Sequence, residues 1–248
     1  MPIPDISWVR IYNERTRFPN PATASSAFQP IAKGGDLSPA MLLAAYSLGI
    51  FPWFMPGEPL FWWSPNPRCV LYPDDFKLPR RSLRFLRNSR FEITLNKCFS
   101  GVIDGCAAPR SYSSDTWISA DIRESYIRLH ELGYAHSVET WLDGQLIGGL
   151  YGVALGRVFF GESMFHTFKE GSRAALMGTT ALLKKYNFHF MDCQNPTDNL
   201  EDMGARAISR KQFLRELNEA IRFDEGERSI IPLRPGEWRA AAKNLLSS

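Results

Sequence analysis

Residues 136–165 constrain the fold most strongly, because apolar, strand-like runs alternate there with two tight-turn signals. The runs "HSVETWL" and "QLIGGLYGVAL" are separated by Asp143-Gly144, a dipeptide that favours two-residue hairpin loops. Gly156-Arg157 separates the second run from "VFFGESMF". Since short turns join antiparallel neighbours, this pattern predicts a three-strand meander.

The next segments extend the meander into a mixed sheet. "SRAALMGTTALLKKYN" predicts a helix over 172–187, and "FHFMDCQ" predicts a strand over 188–194. A meander followed by a helix and another strand is the order of acetyltransferase-like α+β folds, and we predict that class. Ser119 and Gly133 bound a further amphipathic helix, and the last helix covers about 209–221.

Residues 50–68 differ from the rest of the chain in composition, with five prolines and six Phe or Trp side chains. Proline lacks the backbone N–H that helices and central strands need, so this segment predicts a rigid aromatic loop. Such a loop is suited to forming the wall of an apolar pocket. The helix before it has Ser38 as its N-cap, Pro39 in its first turn and Gly49 at its end.

The composition is that of an ordinary globular protein, with 44% apolar and 22% charged residues among 248. A net charge of +3 permits a polyanionic partner without requiring one. The four cysteines and four histidines lack zinc-ligand spacing, so we expect free thiols and no metal. The sequence shows no signal-peptide pattern and no apolar run of about 20 residues, so we expect a cytoplasmic protein.

The end of the predicted strand over 188–194 is the first candidate site. Side chains alternate along a strand, so Asp192 and Gln194 project from one face and Cys193 from the other. Strand ends in open sheets are common ligand-binding positions. These residues either serve such a site or only cap the following turn through hydrogen bonds to its backbone.

The segment "FFGESMF" is the second candidate site. Strict alternation places Phe160, Glu162 and Met164 on one face and Phe159, Gly161, Ser163 and Phe165 on the other. Glu162 is a lone acid among apolar side chains and, if buried, needs a hydrogen-bonding or cationic partner. It either lines a functional pocket or is a structural buried acid.

The segment "KLPRRSLRFLRNSR" carries six cations and no acid. On a helix, Arg80, Arg84 and Arg87 share one face. This pattern indicates either a phosphate-binding surface or an ordinary solvated helix.

Several cofactor and nucleophile motifs are missing from the sequence. It contains no Walker loop, no dinucleotide-binding glycine pattern and no nucleophile elbow. The residues "KEGSR", before the helix over 172–187, also lack the glycine-rich loop that would hold the pyrophosphate of coenzyme A. We therefore expect no cofactor.

Six longer motifs follow one another between about Gly34 and Phe213. They are "GGDLSPAMLLAAYSLGIFPWF", "WWSPNPR", "TWIS", "YIRLHELGYAHSVETW", "GGLYGVALGRVFFGESMF" and "MDCQNPTDNLEDMGA". Together they closely resemble the bacterial leucyl/phenylalanyl-tRNA–protein transferase family. The resemblance implies a small N-terminal domain over 1–68, which contains the aromatic loop, and an acetyltransferase-like catalytic domain over 69–248.

The resemblance also implies an activity and a set of site residues. Such enzymes move leucine or phenylalanine, and less readily methionine, from the 3′ acceptor end of aminoacyl-tRNA to proteins with N-terminal Arg or Lys, which directs those proteins to degradation. The family's pattern makes Asp192 and Gln194 catalytic. It forms the aminoacyl pocket from Trp53, Trp117, Phe159, Glu162 and Met164. Thr179 and Leu183 stand where some members carry bulkier aromatic residues, so the preference between leucine and phenylalanine stays open.

The implied reaction is aminolysis of an ester, and the residues leave several roles open. Asp192 is either the general base or the group that orients Gln194, and either Glu162 or Asp192 forms the acidic recess for the acceptor. We expect Arg80, Arg84 and Arg87 to contact phosphates of the acceptor stem. We further expect a monomer with no membrane partner. Two alternatives are a coenzyme-A-dependent N-acyltransferase and a non-catalytic adaptor that binds N-terminal residues.

Overall fold

A computed structural model describes residues 18–24, 27–109 and 116–221. The strands are β1 (Ala32–Lys33), β2 (Phe51–Pro52), β3 (Phe61–Trp63), β4 (Arg68–Leu71), β5 (Glu92–Leu95), β6 (Ala135–Leu142), β7 (Gln145–Leu155), β8 (Val158–His166), β9 (Phe190–Gln194) and β10 (Arg206–Ile208). The helices are α1 (Pro39–Ser47), α2 (Arg80–Arg87), α3 (Phe99–Ala107), α4 (Ala120–Glu131), α5 (Gly171–Lys185), α6 (Asp198–Asp202) and α7 (Arg210–Ile221). Short 3₁₀ helices cover Pro21–Thr23 and Pro73–Asp75.

A seven-stranded mixed sheet forms the centre of the molecule, in the order β10-β4-β9-β8-β7-β6-β5. Its neighbours are antiparallel except for β8 and β9, which run parallel. The predicted meander is β6–β7–β8, and both residues of the Asp143-Gly144 turn have positive φ, as a tight hairpin requires. Because α5 and β9 follow the meander in the predicted order, the α+β class is confirmed.

The sequence signals around α1 are confirmed, and they set how the helix meets α7. Ser38 caps α1 by accepting a hydrogen bond from the backbone N–H of Met41 at 3.3 Å. The chain turns at Gly49, which has a φ of +73°. A Cβ atom there would lie 2.7 Å from the ring of Phe213 on α7, so only glycine permits this approach.

The prediction that residues 50–68 form only a loop is wrong, because the segment contains β2 and β3. These strands pair with β1 in a separate three-stranded sheet of order β1-β3-β2. Pro52 is accommodated because it lies on the edge strand, where a missing N–H is tolerated. β10 and α6 were also not predicted. Of the small N-terminal domain predicted over 1–68, residues 1–17, 25 and 26 lie outside the described residues.

Two hydrophobic clusters cover the two faces of the large sheet. The first cluster packs α1, α3, α4 and α7 against β7 and β8 and includes Tyr46, Tyr126, Tyr151 and Phe160. The second cluster packs α5 against the opposite face and includes Phe159, Leu176, Leu183 and Met191. A smaller group joins Leu86 of α2 to Ala174 and Met177 of α5, which holds α2 on the outer side of α5.

The strict alternation predicted for residues 159–165 is wrong. The pairing of β8 with β7 shifts between Tyr151, opposite Ser163, and Gly152, opposite Gly161, so Glu162 is an extra residue in a β-bulge. After the bulge the faces exchange. Phe159 and Met164 therefore pack with the second cluster, whereas Phe160 and Phe165 pack with the first.

In the described part of the chain, no helix is both long and apolar enough to cross a lipid bilayer.

Candidate functional site

The parallel pairing between β8 and β9 is short and ends at Phe160 and Asp192. In the described residues β8 then continues to His166 with β7 as its paired neighbour, while β9 stops at Gln194. The sheet therefore opens after Phe160 along one edge of β8. Glu162 from β8 and Gln194 from β9 face each other at this opening, and both are partly exposed.

Behind the opening lies a fully buried ion pair between Arg68 of β4 and Asp192 of β9, with both side chains at 0% exposure. Arg68 Nε and Nη2 donate to the two carboxylate oxygens of Asp192 at 2.8 and 2.6 Å. Its Nη1 donates to the carbonyl oxygen of Gly49 at 3.1 Å. The rings of Phe51 and Phe213 lie 4.8 and 4.4 Å from the guanidinium carbon, so ring contacts as well as charge hold the cation.

Asp192 sets the conformation of Gln194 directly. Its Oδ1 accepts a hydrogen bond from the backbone N–H of Gln194 at 2.9 Å. Gln194 has a φ of +61°, a left-handed conformation that a residue with a side chain adopts at a cost of about 1–2 kcal/mol. Such strained positions concentrate at functional sites. Asp192 therefore contacts Gln194 directly, and the contact is a hydrogen bond to the backbone of Gln194 rather than to its side chain.

Glu162 is the hub of a hydrogen-bond network with uncharged donors. Its Oε1 accepts from the Tyr46 hydroxyl at 2.6 Å and from the Gln194 amide nitrogen at 3.2 Å. The Tyr126 hydroxyl lies 3.1 Å from Oε2 and also within hydrogen-bonding distance of the Tyr46 hydroxyl, so its single proton serves either Glu162 or Tyr46. The bulge at Glu162 explains how α1, α4 and β9 can all reach one carboxylate.

Burial raises the pKa of Glu162 to about 7, and the charge of Asp192 adds to the rise, whereas the bonds from Tyr46, Tyr126 and Gln194 oppose it. Burial, together with the Glu162 charge, also raises the pKa values of Tyr46 and Tyr126, so both tyrosines remain protonated donors. The site therefore contains a carboxyl group that gains and loses its proton near neutral pH, as a general acid or base requires.

The residues predicted to line the aminoacyl pocket lie in four parts of the molecule. Phe159 and Met164 belong to the second cluster, under α5. Trp117 precedes α4 and packs against the first cluster. Trp53 directly follows β2, is 43% exposed and has its ring 5.4 Å from that of Trp63. Glu162 is at the opening itself, and a pocket shared by all five stays a prediction.

The predicted basic face lies on α2. Arg80, Arg84 and Arg87 are all exposed there, while Leu86 faces α5. The helix thus presents its cations to solvent, and their contact with tRNA stays a prediction.

Comparisons with known proteins identify the family. The model for leucyl/phenylalanyl-tRNA protein transferase matches residues 70–218, and the model for the N-terminal domain of the same transferase matches residues 35–66. The chain belongs to the leucyl/phenylalanyl-tRNA–protein transferase family. It is therefore a member of a family of aminoacyltransferase enzymes.

Individual relatives of this transferase family agree with the family models. The leucyl/phenylalanyl-tRNA–protein transferase of Legionella pneumophila (strain Corby) is 44% identical over 227 residues, covering 92% of this chain and 98% of the relative. The corresponding transferase of Azoarcus sp. (strain BH72) is 52% identical over 183 residues, covering 74% and 78%. Among solved structures, a GCN5-related N-acetyltransferase-like protein from Streptococcus suis 89/1591 is 12% identical with a TM-score of 0.33, covering 65% of this chain and 60% of that chain.

The sequence analysis does not identify three residues of the site: Arg68, Tyr46 and Tyr126. Arg68 had a usable signal, since it is a lone cation at the start of the apolar run "CVLYP", as Asp192 is a lone acid in another. Two such charges on strands of one sheet are expected to pair if buried. The tyrosines had no such signal, because each lies among the apolar residues of a helix.

The buried ion pair gives the first prediction. Arg68→Met leaves Asp192 as an unpaired buried carboxylate, so we expect the free energy of unfolding, measured by urea denaturation, to fall by roughly 3–5 kcal/mol. Arg68→Met/Asp192→Leu removes both charges and should recover most of that stability. A single variant as stable as the wild type would contradict the assignment of the pair.

The pKa of Glu162 gives the second prediction. Because this pKa is raised from 4.5 to about 7 on folding, the folded state binds a proton more tightly, and the stability due to this group falls as pH rises from about 4.5 to 7. In the variant Glu162→Gln, the side chain at position 162 has no titratable group. The free energy of unfolding of this variant, relative to wild type, should therefore rise by about 2.5 kcal/mol between pH 5 and 8. Exposed Glu124→Gln is the control, and a flat difference for both variants would refute the raised pKa.

Proposed function

We propose that this protein transfers leucine or phenylalanine, and less readily methionine, from aminoacyl-tRNA to the N-terminal Arg or Lys of acceptor proteins, which marks them for degradation by the N-degron pathway. The observation that carries the proposal is the pair of Glu162 and Gln194 at the open end of the β8–β9 pairing, held by the buried Arg68–Asp192 bond. Family membership supplies the reaction class.

The proposed chemistry needs orientation more than activation. The α-amine of the acceptor attacks the carbonyl of the aminoacyl ester and displaces the ribose hydroxyl of the terminal adenosine. An α-amino group has a pKa of about 7.7–8.0, so roughly a tenth to a fifth is already neutral at pH 7. No covalent enzyme intermediate is required, and the main contributions are alignment of the amine and stabilisation of developing charge.

Gln194 is the residue that meets the reacting atoms in this proposal. Its amide nitrogen donates to Glu162, which turns the carbonyl oxygen of the same amide into the acceptor for the incoming amine. Asp192 acts through Gln194 as a positioning residue. Its complete burial and its two bonds to Arg68 support this role over that of a general base, since both carboxylate oxygens are already engaged.

Glu162 is the better candidate for the acidic recess that receives the acceptor's cation. The charge of Asp192 is already balanced by Arg68. The donors described around Glu162 are two hydroxyls and an amide, so its negative charge is available to an ammonium or guanidinium group. A carboxyl with a pKa near 7 is also suited to receive the proton that the amine loses.

Trp53, Trp117, Phe159 and Met164 would hold the aminoacyl side chain. Leu, Phe and Met share bulk without a polar group, and an apolar pocket separates such side chains by only about 1–3 kcal/mol per methylene. The thioether of Met164 adapts to branched and flat shapes alike. Thr179 and Leu183 of α5 are both buried, and Leu183 packs in the same cluster as Phe159 and Met164.

The start of α5 argues against coenzyme A as the acyl donor. Glu170 occupies the N-cap position with a φ of +67°, and its side chain is 7% exposed and paired with Arg173 at 3.2 Å. Glu170 makes no capping hydrogen bond, but its negative charge next to this helix terminus disfavours a pyrophosphate there. The aminoacyl-tRNA donor is therefore the better supported of the two.

The third prediction is transfer of label from radioactive leucyl-tRNA to a protein with N-terminal Arg. We expect Gln194→Ala to slow single-turnover transfer by roughly 10²-fold, because it removes the group that aligns the amine. Asp192→Asn should slow it less than Gln194→Ala does, and the exposed Gln145→Ala is the matched control. Absence of label with the wild-type protein would refute the transferase, and binding of the acceptor without label would favour the adaptor.

The fourth prediction concerns the cations of α2. Raising salt from 50 to 200 mM should lower kcat/KM for aminoacyl-tRNA, because phosphate contacts release counterions. Replacing Arg80, Arg84 and Arg87 together by Gln should flatten the log–log salt slope by roughly one for each phosphate that α2 no longer neutralises. The control is Arg128→Gln, an exposed arginine on α4. A slope that is the same in wild type and triple variant would exclude this face from tRNA binding.

A further inference from the structure

An exposed aromatic side chain lies just past the end of β8, where the chain crosses over β7 towards β6. Phe168 follows β8 by two residues, just before α5, and is 44% exposed. Its neighbours His166, Thr167 and Lys169 are exposed as well. Single exposed apolar residues are common in soluble proteins, so exposure alone assigns no role. The surroundings of Phe168 are what distinguish it.

Phe168 is one end of a row of three rings, here called the aromatic shelf: Phe85, Phe91 and Phe168. The Phe91 and Phe168 ring centroids are 6.1 Å apart, and those of Phe85 and Phe91 are 5.8 Å apart, both edge-to-face. Phe85 lies on α2 and packs against α5, so the shelf is anchored to the core at that end. An exposed ring held at its edge by another ring keeps its flat face available for stacking.

Cations surround the aromatic shelf. The Lys169 ammonium lies 5.4 Å from the centre of the Phe85 ring, and Arg84 and Arg87 are exposed on the same helix as Phe85. The nearby acid Glu170 is already paired with Arg173 at 3.2 Å. Flat rings interleaved with positive charge are the surface that single-stranded nucleic acids bind, through base stacking and phosphate contacts.

The position of the shelf relative to the candidate site limits which nucleotide it can reach. Phe168 is six residues beyond Glu162, at most about 20 Å along an extended strand. That is the length of a few unstacked nucleotides. A tRNA ends in an unpaired 3′ tail that carries the aminoacyl ester on its last adenosine. With the ester between Glu162 and Gln194, Phe168 is therefore within reach of the nucleotides before that adenosine.

From this arrangement we infer that Phe168 is a stacking site for an unpaired nucleobase of the acceptor tail, upstream of the terminal adenosine, with Lys169 contacting the adjoining phosphate. The inference rests on the proposed function, because it takes the aminoacyl ester to lie at Glu162 and Gln194. It assigns the recognition of tail and stem to different residues: Phe168 holds the single strand, and the cations of α2 hold the duplex. Stacking is tolerant of base identity, which suits an enzyme that accepts several tRNAs.

The test compares three leucyl donors of decreasing length: leucyl-tRNA, the leucyl trinucleotide CCA and leucyl-adenosine. We expect Phe168→Ala to lower kcat/KM for the first two donors by a similar factor, about 5- to 100-fold, and to leave leucyl-adenosine unchanged. Phe168→Trp, which keeps a flat ring, should retain most of the activity with all three. Phe28→Ala removes another exposed phenylalanine, 62% exposed on the N-terminal segment, and is the matched control.

Each other outcome overturns the inference. Equal reduction with all three donors would place the effect at the reacting end or on the fold, and thermal unfolding of Phe168→Ala would separate these two causes. A reduction with leucyl-tRNA alone would move the interaction to the stem, and no reduction with any donor would remove Phe168 from tRNA binding. If the wild-type protein transferred leucine from none of the three donors, the proposed function would be refuted. Failure of the inference and failure of the proposed function are therefore distinguishable.

Discussion

The buried bond between Arg68 and Asp192 is the interaction on which the rest of the site depends. Removing two charges from water is costly, and a well-packed apolar pair is often at least as stable. The ion pair instead fixes the relative positions of the elements that it joins. Arg68 joins the end of β9 to the chain after α1 through Gly49 and is flanked by Phe51 and Phe213, so the small sheet, the large sheet and α7 meet at one guanidinium.

The same bond explains why the polar groups lie at the opening of the sheet rather than within it. β9 ends with Gln194 in a left-handed conformation that Asp192 stabilises through the backbone N–H. β8 contributes a bulge at Glu162 just where its pairing with β9 has ended. A carboxylate and a carboxamide therefore meet 3.2 Å apart, partly exposed, in front of a charge pair that water does not reach.

Local signals in the sequence predict much of this architecture. Ser38, Pro39 and Gly49 delimit α1, Asp143-Gly144 sets the β6–β7 hairpin, and period two correctly separates Cys193 from Asp192 and Gln194. Strand periodicity fails at β8, because a bulge depends on how β7 pairs and leaves no mark in "FFGESMF". The inference from proline content also fails, because Pro52 lies on the edge strand β2 and the central strand β3 contains no proline. Partners distant in sequence, such as Tyr46 and Tyr126 on Glu162, become visible only once the helices are packed.

The central claim is that Arg68 acts on the reaction through Gln194, and a double-mutant cycle on the single-turnover rate tests it most directly. Arg68→Lys keeps the buried charge but loses the two-pronged bond to Asp192, which a lysine ammonium cannot reproduce. The account predicts that Arg68→Lys slows transfer clearly in the wild-type background and by less than about twofold when Gln194 is already Ala. If Arg68→Lys slowed transfer by the same factor in both backgrounds, Arg68 would act independently of Gln194 and the account would be contradicted.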